Sequence, residues 1–224
     1  MGIRVVAVDV GSVGPPSKFA WAGFDAPTRE VLLSGDDPQT AVSALVAGLA
    51  WGGQAALLLE SPLSVPVPSG QEDAWRWLGR ARDGEGNRPW SAGAGAGVLA
   101  TGLAQGAWMM RQLAEAVPGL TATTQPDLWR SGAAQLLLAE AFVSASGKPV
   151  PLPASQDAAD AAAAGGALVE LLDAPGPLAS MVRCSPHGSF NLLTAMALWA
   201  GLSIDPGELQ QDVLVIAGRP QPTQ

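Results

Sequence analysis

Apolar positions along the chain follow a period of two in some stretches and three to four in others, and the order of these stretches predicts the elements. The run Arg4-Val-Val-Ala-Val-Asp-Val-Gly11 is rich in β-branched residues and closed by Gly11 and Gly14, the pattern of a buried central strand. A single carboxylate, Asp9, interrupts it. Ser12 to Ser17 is a turn by composition, Lys18 to Phe24 alternates aromatic and small residues as a second strand, and Arg29 to Leu33 reads as a third. Connections this short predict an antiparallel meander. Asp37 followed by Pro38 starts a helix, with Ala41, Leu45 and Leu49 on one face and Gly52-Gly53 at its end. The next strand, Ala55 to Glu60, is apolar up to its last residue, as expected of a strand covered on both faces after a crossover.

From Ser61 to Gly97 the pattern dissolves into prolines and a Gly-Ala run, an irregular insertion at about 61–97. A helix over Val98 to Val117 follows, its stripe made of Leu99, Leu103, Ala107, Met110, Ala114 and Val117, with Gly102 and Gly106 allowing close approach to a neighbour. Pro118 to Gly132 reads as a connection. Gln135 to Ser144 suits a fifth strand, although its Leu and Ala content also suits a helix. Ser155 caps a helix running to about Leu172, in which Gly165-Gly166 costs stability unless a tight contact needs it. Ser189 to Leu202 is a further helix and Asp212 to Ala217 a late strand. The expectation is one α/β domain over 1–224, a mixed central sheet of about five strands, the first three antiparallel, with helices on both faces.

Composition narrows the class. With 48% hydrophobic and 14% charged residues the chain is globular. The apolar segment Phe190 to Ile204 contains Asn191 and Ser203 and falls short of the ~20 residues a bilayer requires, so no membrane is expected. The first residues lead straight into a strand, without a basic region and apolar core, and the single cysteine, Cys184, fits a reducing, cytoplasmic setting. A net charge of −8 opposes non-specific attraction to a phosphate backbone unless metal ions or a local basic patch override it.

The acids carry the candidate chemistry. Burying Asp9 costs several kcal/mol unless a cation or hydrogen-bond donors receive it. Glu60 closes the fourth strand, and Asp157 and Asp160 share a helical stripe with Ala161, Ala164, Leu168 and Leu171, which turns both toward the sheet. If strands one and four are adjacent and parallel, Asp9 and Glu60 emerge side by side below that helix end. Carboxylates so gathered repel one another, and a divalent cation, Mg²⁺ or Mn²⁺ for an all-oxygen site, removes the conflict. Each acid also has a plainer role: Asp9 capping a turn, Glu60 solvated, Asp157 a first-turn partner of the helix dipole.

At these residues the chain resembles the ribonuclease H-like superfamily, whose order is three antiparallel strands, helix, strand, helix, strand, helix. Val6-Ala-Val-Asp-Val-Gly11 is similar to the first acidic motif of Holliday-junction resolvases of the RuvC type, and Gln156-Asp-Ala-Ala-Asp-Ala-Ala-Ala-Ala164 to their last. Glu60 stands where those enzymes carry a glutamate on the fourth strand. The resemblance implies that Asp9, Glu60, Asp157 and Asp160 are metal ligands and catalytic residues of a nuclease. It covers the core only. The insertion and the segment from Ser189 to Leu202 look more like uncharacterised bacterial proteins predicted to share the fold, for which the resemblance implies no reaction.

The insertion contributes the other candidates. Trp75-Arg-Trp-Leu-Gly-Arg-Ala-Arg82, continued by Arg88-Pro-Trp90, sets arginines beside tryptophans, as an anionic or base-bearing ligand requires. If the segment is helical, Arg76 and Arg80 face one side together, with Arg82 and Trp75 beside them; a lid of packed tryptophans and solvated arginines is the structural alternative. Asp9-Val-Gly-Ser-Val-Gly14 with Lys18 also resembles the first phosphate loop of the actin and sugar-kinase superfamily, which needs two such domains where this chain has room for one. His187 suits a surface loop, and Cys184 lacks a partner for nucleophilic catalysis. Two functional readings stand: a Mg²⁺- or Mn²⁺-dependent phosphodiesterase or nuclease acting on nucleic acid or another phosphate-bearing ligand, and a non-catalytic binding or assembly module on the same fold whose acidic cluster is structural.

Overall fold

A computed structural model describes residues 2–68, 73–85, 90–143, 155–184 and 188–218. Its centre is a mixed seven-stranded sheet. β1 (Ile3–Asp9) pairs antiparallel with β2 (Ala20–Ala26), which pairs with β3 (Leu33–Gly35); on its other side β1 runs parallel to β4 (Gln54–Glu60). Beyond β4 lies β7 (Leu136–Phe142), whose outer edge takes β6 (Ala122–Thr123) near its start and β9 (Val215–Ala217) near its end, all parallel. A separate ribbon pairs β5 (Ser64–Pro66) with β8 (Ser189–Asn191).

The helices cover both faces. α1 (Pro38–Leu49), α2 (Gly93–Ala116) and α5 (Leu192–Ala200) pack on one side with Val6, Val8, Leu57 and Leu59; α4 (Gln156–Asp173) packs on the other with Val5, Ala7, Ala56 and Leu58. Strand periodicity divides the two cores, since successive side chains of β1 and β4 point to opposite faces. A short helix, α3 (Pro126–Arg130), buries Trp129 at the edge of the second core. Both predicted helix caps form: Asp37 accepts from the N–H of Gln39 at 2.9 Å and Ser155 from that of Ala158 at 3.2 Å.

Glycines set two close contacts. A Cβ at Gly165 would lie 2.3 Å from Cε2 of Phe24, so the missing side chain lets α4 sit directly on β2. A Cβ at Gly102 would meet Oγ of Ser61 at 2.2 Å. The deepest face of α2 is therefore Gly102, Gly106, Met109, Met110 and Leu113, rotated from the predicted stripe, most of which packs half-buried around it.

Several boundaries differ from expectation. The third strand starts at Leu33 rather than Arg29, because the chain rejoins β2 only opposite Gly23; on this edge Val31, Leu32 and Leu33 stay exposed. The sheet has two strands more than the five expected: β6 is too short to show a period, and it and α3 lie inside what reads as a connection. The helix expected from Ser189 starts at Leu192, since Ser189–Asn191 pairs with β5 and Asn191 then caps the helix, accepting from the N–H of Thr194 at 3.0 Å. α2 begins at Gly93, ahead of Val98. Among the described residues no helix is long and apolar enough to cross a membrane.

Candidate metal centre

The register of the sheet builds the site. Asp9 ends β1 and Glu60 ends β4, and the parallel pairing sets them directly opposite one another. Asp9 has the parity of Val5 and Ala7, and Glu60 that of Ala56 and Leu58, so both side chains belong to the face that α4 covers. On α4, Asp160 is 2% exposed, and Nε2 of Gln156 donates to its Oδ1 at 2.6 Å. One carboxylate oxygen from each of Asp9, Glu60 and Asp160 lies within 4.8 Å of the others. Asp9 and Glu60 are half-buried, which leaves the cluster reachable from the sheet's carboxyl edge.

Asp157 is not part of this triad. It is half-buried in the first turn of α4, where a carboxylate meets the positive end of the helix dipole. Three of the four acids singled out in the sequence are thus brought together by three different elements.

The donor set fits a small hard cation. Octahedral Mg²⁺ at about 2.1 Å from its ligands needs oxygens roughly 3 to 4.2 Å apart, so three within 4.8 Å close on it by small rotations of their carboxyl groups. Among the described residues no sulfur or imidazole belongs to the cluster, which disfavours zinc.

A second buried charge cluster lies on the opposite face of the sheet. Glu140 on β7 has the parity of Leu136 and Leu138, and is wholly buried beneath the insertion. Arg82 grips it with two bonds of 2.7 Å, Nη1 to Oε2 and Nη2 to Oε1, and the N–H of Leu63 donates to Oε2 at 2.9 Å. Glu85 accepts from Nε at 3.2 Å and Nη2 at 3.1 Å, and Ser64 accepts from Nη1 through its hydroxyl at 3.1 Å and its carbonyl at 3.3 Å. Burial pushes the Glu140 carboxyl up from its ordinary range, against the pull of Arg82. Burial also opposes the Arg82 charge, but Glu140 and Glu85 outweigh it and hold the guanidinium above its ordinary value. A narrow cleft of about 80 Å³ has Glu60, Arg82, Glu85 and Glu140 in its lining, without Asp9 or Asp160.

The arginine segment departs from its expected arrangement. A single 3₁₀ turn covers Ala74–Trp77 and the backbone extends at Leu78, so Arg76 and Arg80 do not share a helical face. Arg76 lies 5.5 Å from the Trp75 ring and 3.4 Å from Asp73, and Arg80 lies 4.4 Å over Trp77. Trp75 is 65% exposed. Arg82, grouped with them as a ligand-binding residue, is instead an interior side chain whose donors go to Glu140, Glu85 and Ser64, so it is not a surface cation. Lys18 is exposed at the end of the loop that follows β1. Arg88 and His187 lie outside the described residues.

Sequence reasoning missed Glu140, and with it the role of Arg82 as its partner. Glu140 is a lone carboxylate inside Leu136–Phe142, an apolar strand, the same signal that marked Asp9. Glu208 is a further buried acid, held by Oγ1 of Thr123 at 2.7 Å and by Thr124 through its N–H at 2.6 Å and its hydroxyl at 2.7 Å; no pattern in its surroundings announced it. No protein family, curated protein or solved structure gives a significant match to the chain.

Proposed function

We propose that the chain is a metal-dependent phosphodiesterase or nuclease of ribonuclease H-like fold, using Asp9, Glu60 and Asp160 to hold Mg²⁺ or Mn²⁺. The strand order β3-β2-β1-β4-β7, with β2 antiparallel to β1 and β4 and β7 parallel to it, supports the fold assignment. The observation that carries the chemistry is the convergence of three carboxylates from two strand ends and a helix within 4.8 Å. Such a bound ion supplies a water of lowered pKa and a Lewis acid for a phosphoryl oxygen. The protein's part is to hold the ligands rigidly: Asp9 and Glu60 on central strands, and Asp160 on a helix locked to β2 through Gly165. Arg76, Arg80 and Lys18 are the exposed cations for a phosphate-bearing substrate, and exposed Trp75 offers a surface for base stacking.

The test is cleavage of branched, single-stranded and hybrid nucleic acids with Mg²⁺ or Mn²⁺. Activity that is lost with chelator and lost in Asp9→Asn and Asp160→Asn is expected; equal cleavage by parent and variants overturns the reading. Burial of Arg82 favours the second reading, a non-catalytic binding or assembly module, because it takes one cation from an already acidic surface. That reading requires that neither ion binds.

A further inference from the structure

A groove of about 740 Å³ runs between the loop after β1, the start of α1 and the outer side of α2. This is within the usual size of ligand sites. None of the three clustered acids lines it, so it is a place apart from the candidate metal centre. One wall is Val13 and Pro16, the other Trp108, and Val13 and Trp108 are 57% and 40% exposed despite their size. At the rim stand the exposed carboxylates of Asp36 and Asp37. Asp37 uses one oxygen to cap α1.

Gln105 lines the groove and ties α2 to the loop after β1, its Nε2 donating to the carbonyl of Gly11. Among the described lining residues there is no lysine, arginine or histidine. An aromatic wall and an acidic rim form together the recognition chemistry of a guanidinium or ammonium on an aliphatic stem.

We infer that this groove is a second binding site, one that takes an extended basic peptide segment with an arginine or lysine laid along Trp108 toward Asp36. The occupant is a chain because the open groove sets apolar lining residues beside two carboxylates, which suits alternating apolar and cationic side chains. The two rim carboxylates oppose an anionic ligand at this place.

The experiment is fluorescence anisotropy at physiological salt with labelled hexapeptide pools that carry Arg, Lys, Glu or Ser fixed at the third and fifth positions. The Arg and Lys pools are expected to bind, with Trp108→Ala and Asp36→Asn each weakening them by about fivefold. Glu115→Gln, which removes an equal charge from the exposed end of α2, is expected to leave binding within about twofold. Unchanged melting temperatures show that the variants fold. The inference is overturned if no basic pool binds, if the Glu pool binds as well, or if Glu115→Gln weakens binding as much as the groove variants, which would mark diffuse attraction to an acidic surface.

Discussion

Arg82 and Glu140 meet through two parallel hydrogen bonds of 2.7 Å, with both side chains shut off from water. The pair pins the insertion to the sheet, since Arg82 comes from the segment after β5 and Glu140 from the middle of β7. Backbone bonds between Asp83 and Arg183, at 2.8 and 3.0 Å, stitch the same segment to a later loop. A bidentate fork of this kind has strict geometry, which lysine cannot reproduce.

Removing one partner leaves the other charge buried and uncompensated. Arg82→Ala is therefore expected to lower stability by about 3–5 kcal/mol, measured by urea unfolding. Glu85 is buried against the same guanidinium, so neutralising all three groups, Arg82→Met with Glu140→Leu and Glu85→Gln, is expected to recover most of that loss, because the desolvation cost disappears along with the attraction. A triple variant no more stable than the single one would refute this account.

The acidic triad makes a metal prediction with a built-in comparison. Parent protein is expected to gain melting temperature with millimolar Mn²⁺ or Mg²⁺, because an ion that binds only the folded chain stabilises it. Asp160→Asn should abolish the gain. Asp157→Asn, which alters a carboxylate outside the triad, should preserve most of it. Equal loss in both variants would show that Asp157 shares the ion.

Gly165→Ala tests the contact that seats α4. The new methyl would lie 2.3 and 2.8 Å from the Phe24 ring, and the ring is itself buried. Overpacking of this kind is expected to cost about 1–3 kcal/mol by chemical unfolding. Adding Phe24→Leu should relieve part of it by opening room beneath the helix.

Burial pushes the Cys184 thiol up from its ordinary value of 9.0, with weaker downward pulls from Ser189 and Ser64. The sign follows from the folded value lying above the unfolded one: the stabilising contribution is complete below pH 9 and is lost as pH rises toward the folded value. Over that interval the parent should lose up to about 1.4 kcal/mol per pH unit more than Cys184→Ala does. The same burial predicts that iodoacetamide labels the native thiol far more slowly than the unfolded one at pH 8.

Arg76 and Arg80 are exposed, so Arg76→Ala with Arg80→Ala should leave the melting temperature nearly unchanged. If they grip phosphate, the double variant should bind a single-stranded oligonucleotide more weakly and with a flatter salt dependence. A large loss of stability with unchanged binding would make the segment structural.

The sequence by itself determined the parts whose signal is local. Hydrophobic period and turn chemistry located β1 and β4 but left β7 open between strand and helix, and Asp37 and Ser155 marked the starts of α1 and α4, because a cap is an interaction between neighbours. It also nominated Asp9, Glu60 and Asp160, since an acid at the end of an apolar strand or on a core stripe conflicts with its surroundings. Only the tertiary structure decided which acids share a site. Parallel register sets Asp9 opposite Glu60, and the seating of α4 selects Asp160 over Asp157; both depend on contacts between elements far apart in the chain. The reversal of Arg82, from a surface cation in the sequence to a buried partner of Glu140, has the same cause. A separation of 58 positions leaves no local trace of their pairing, which arises only when the insertion folds back onto the sheet.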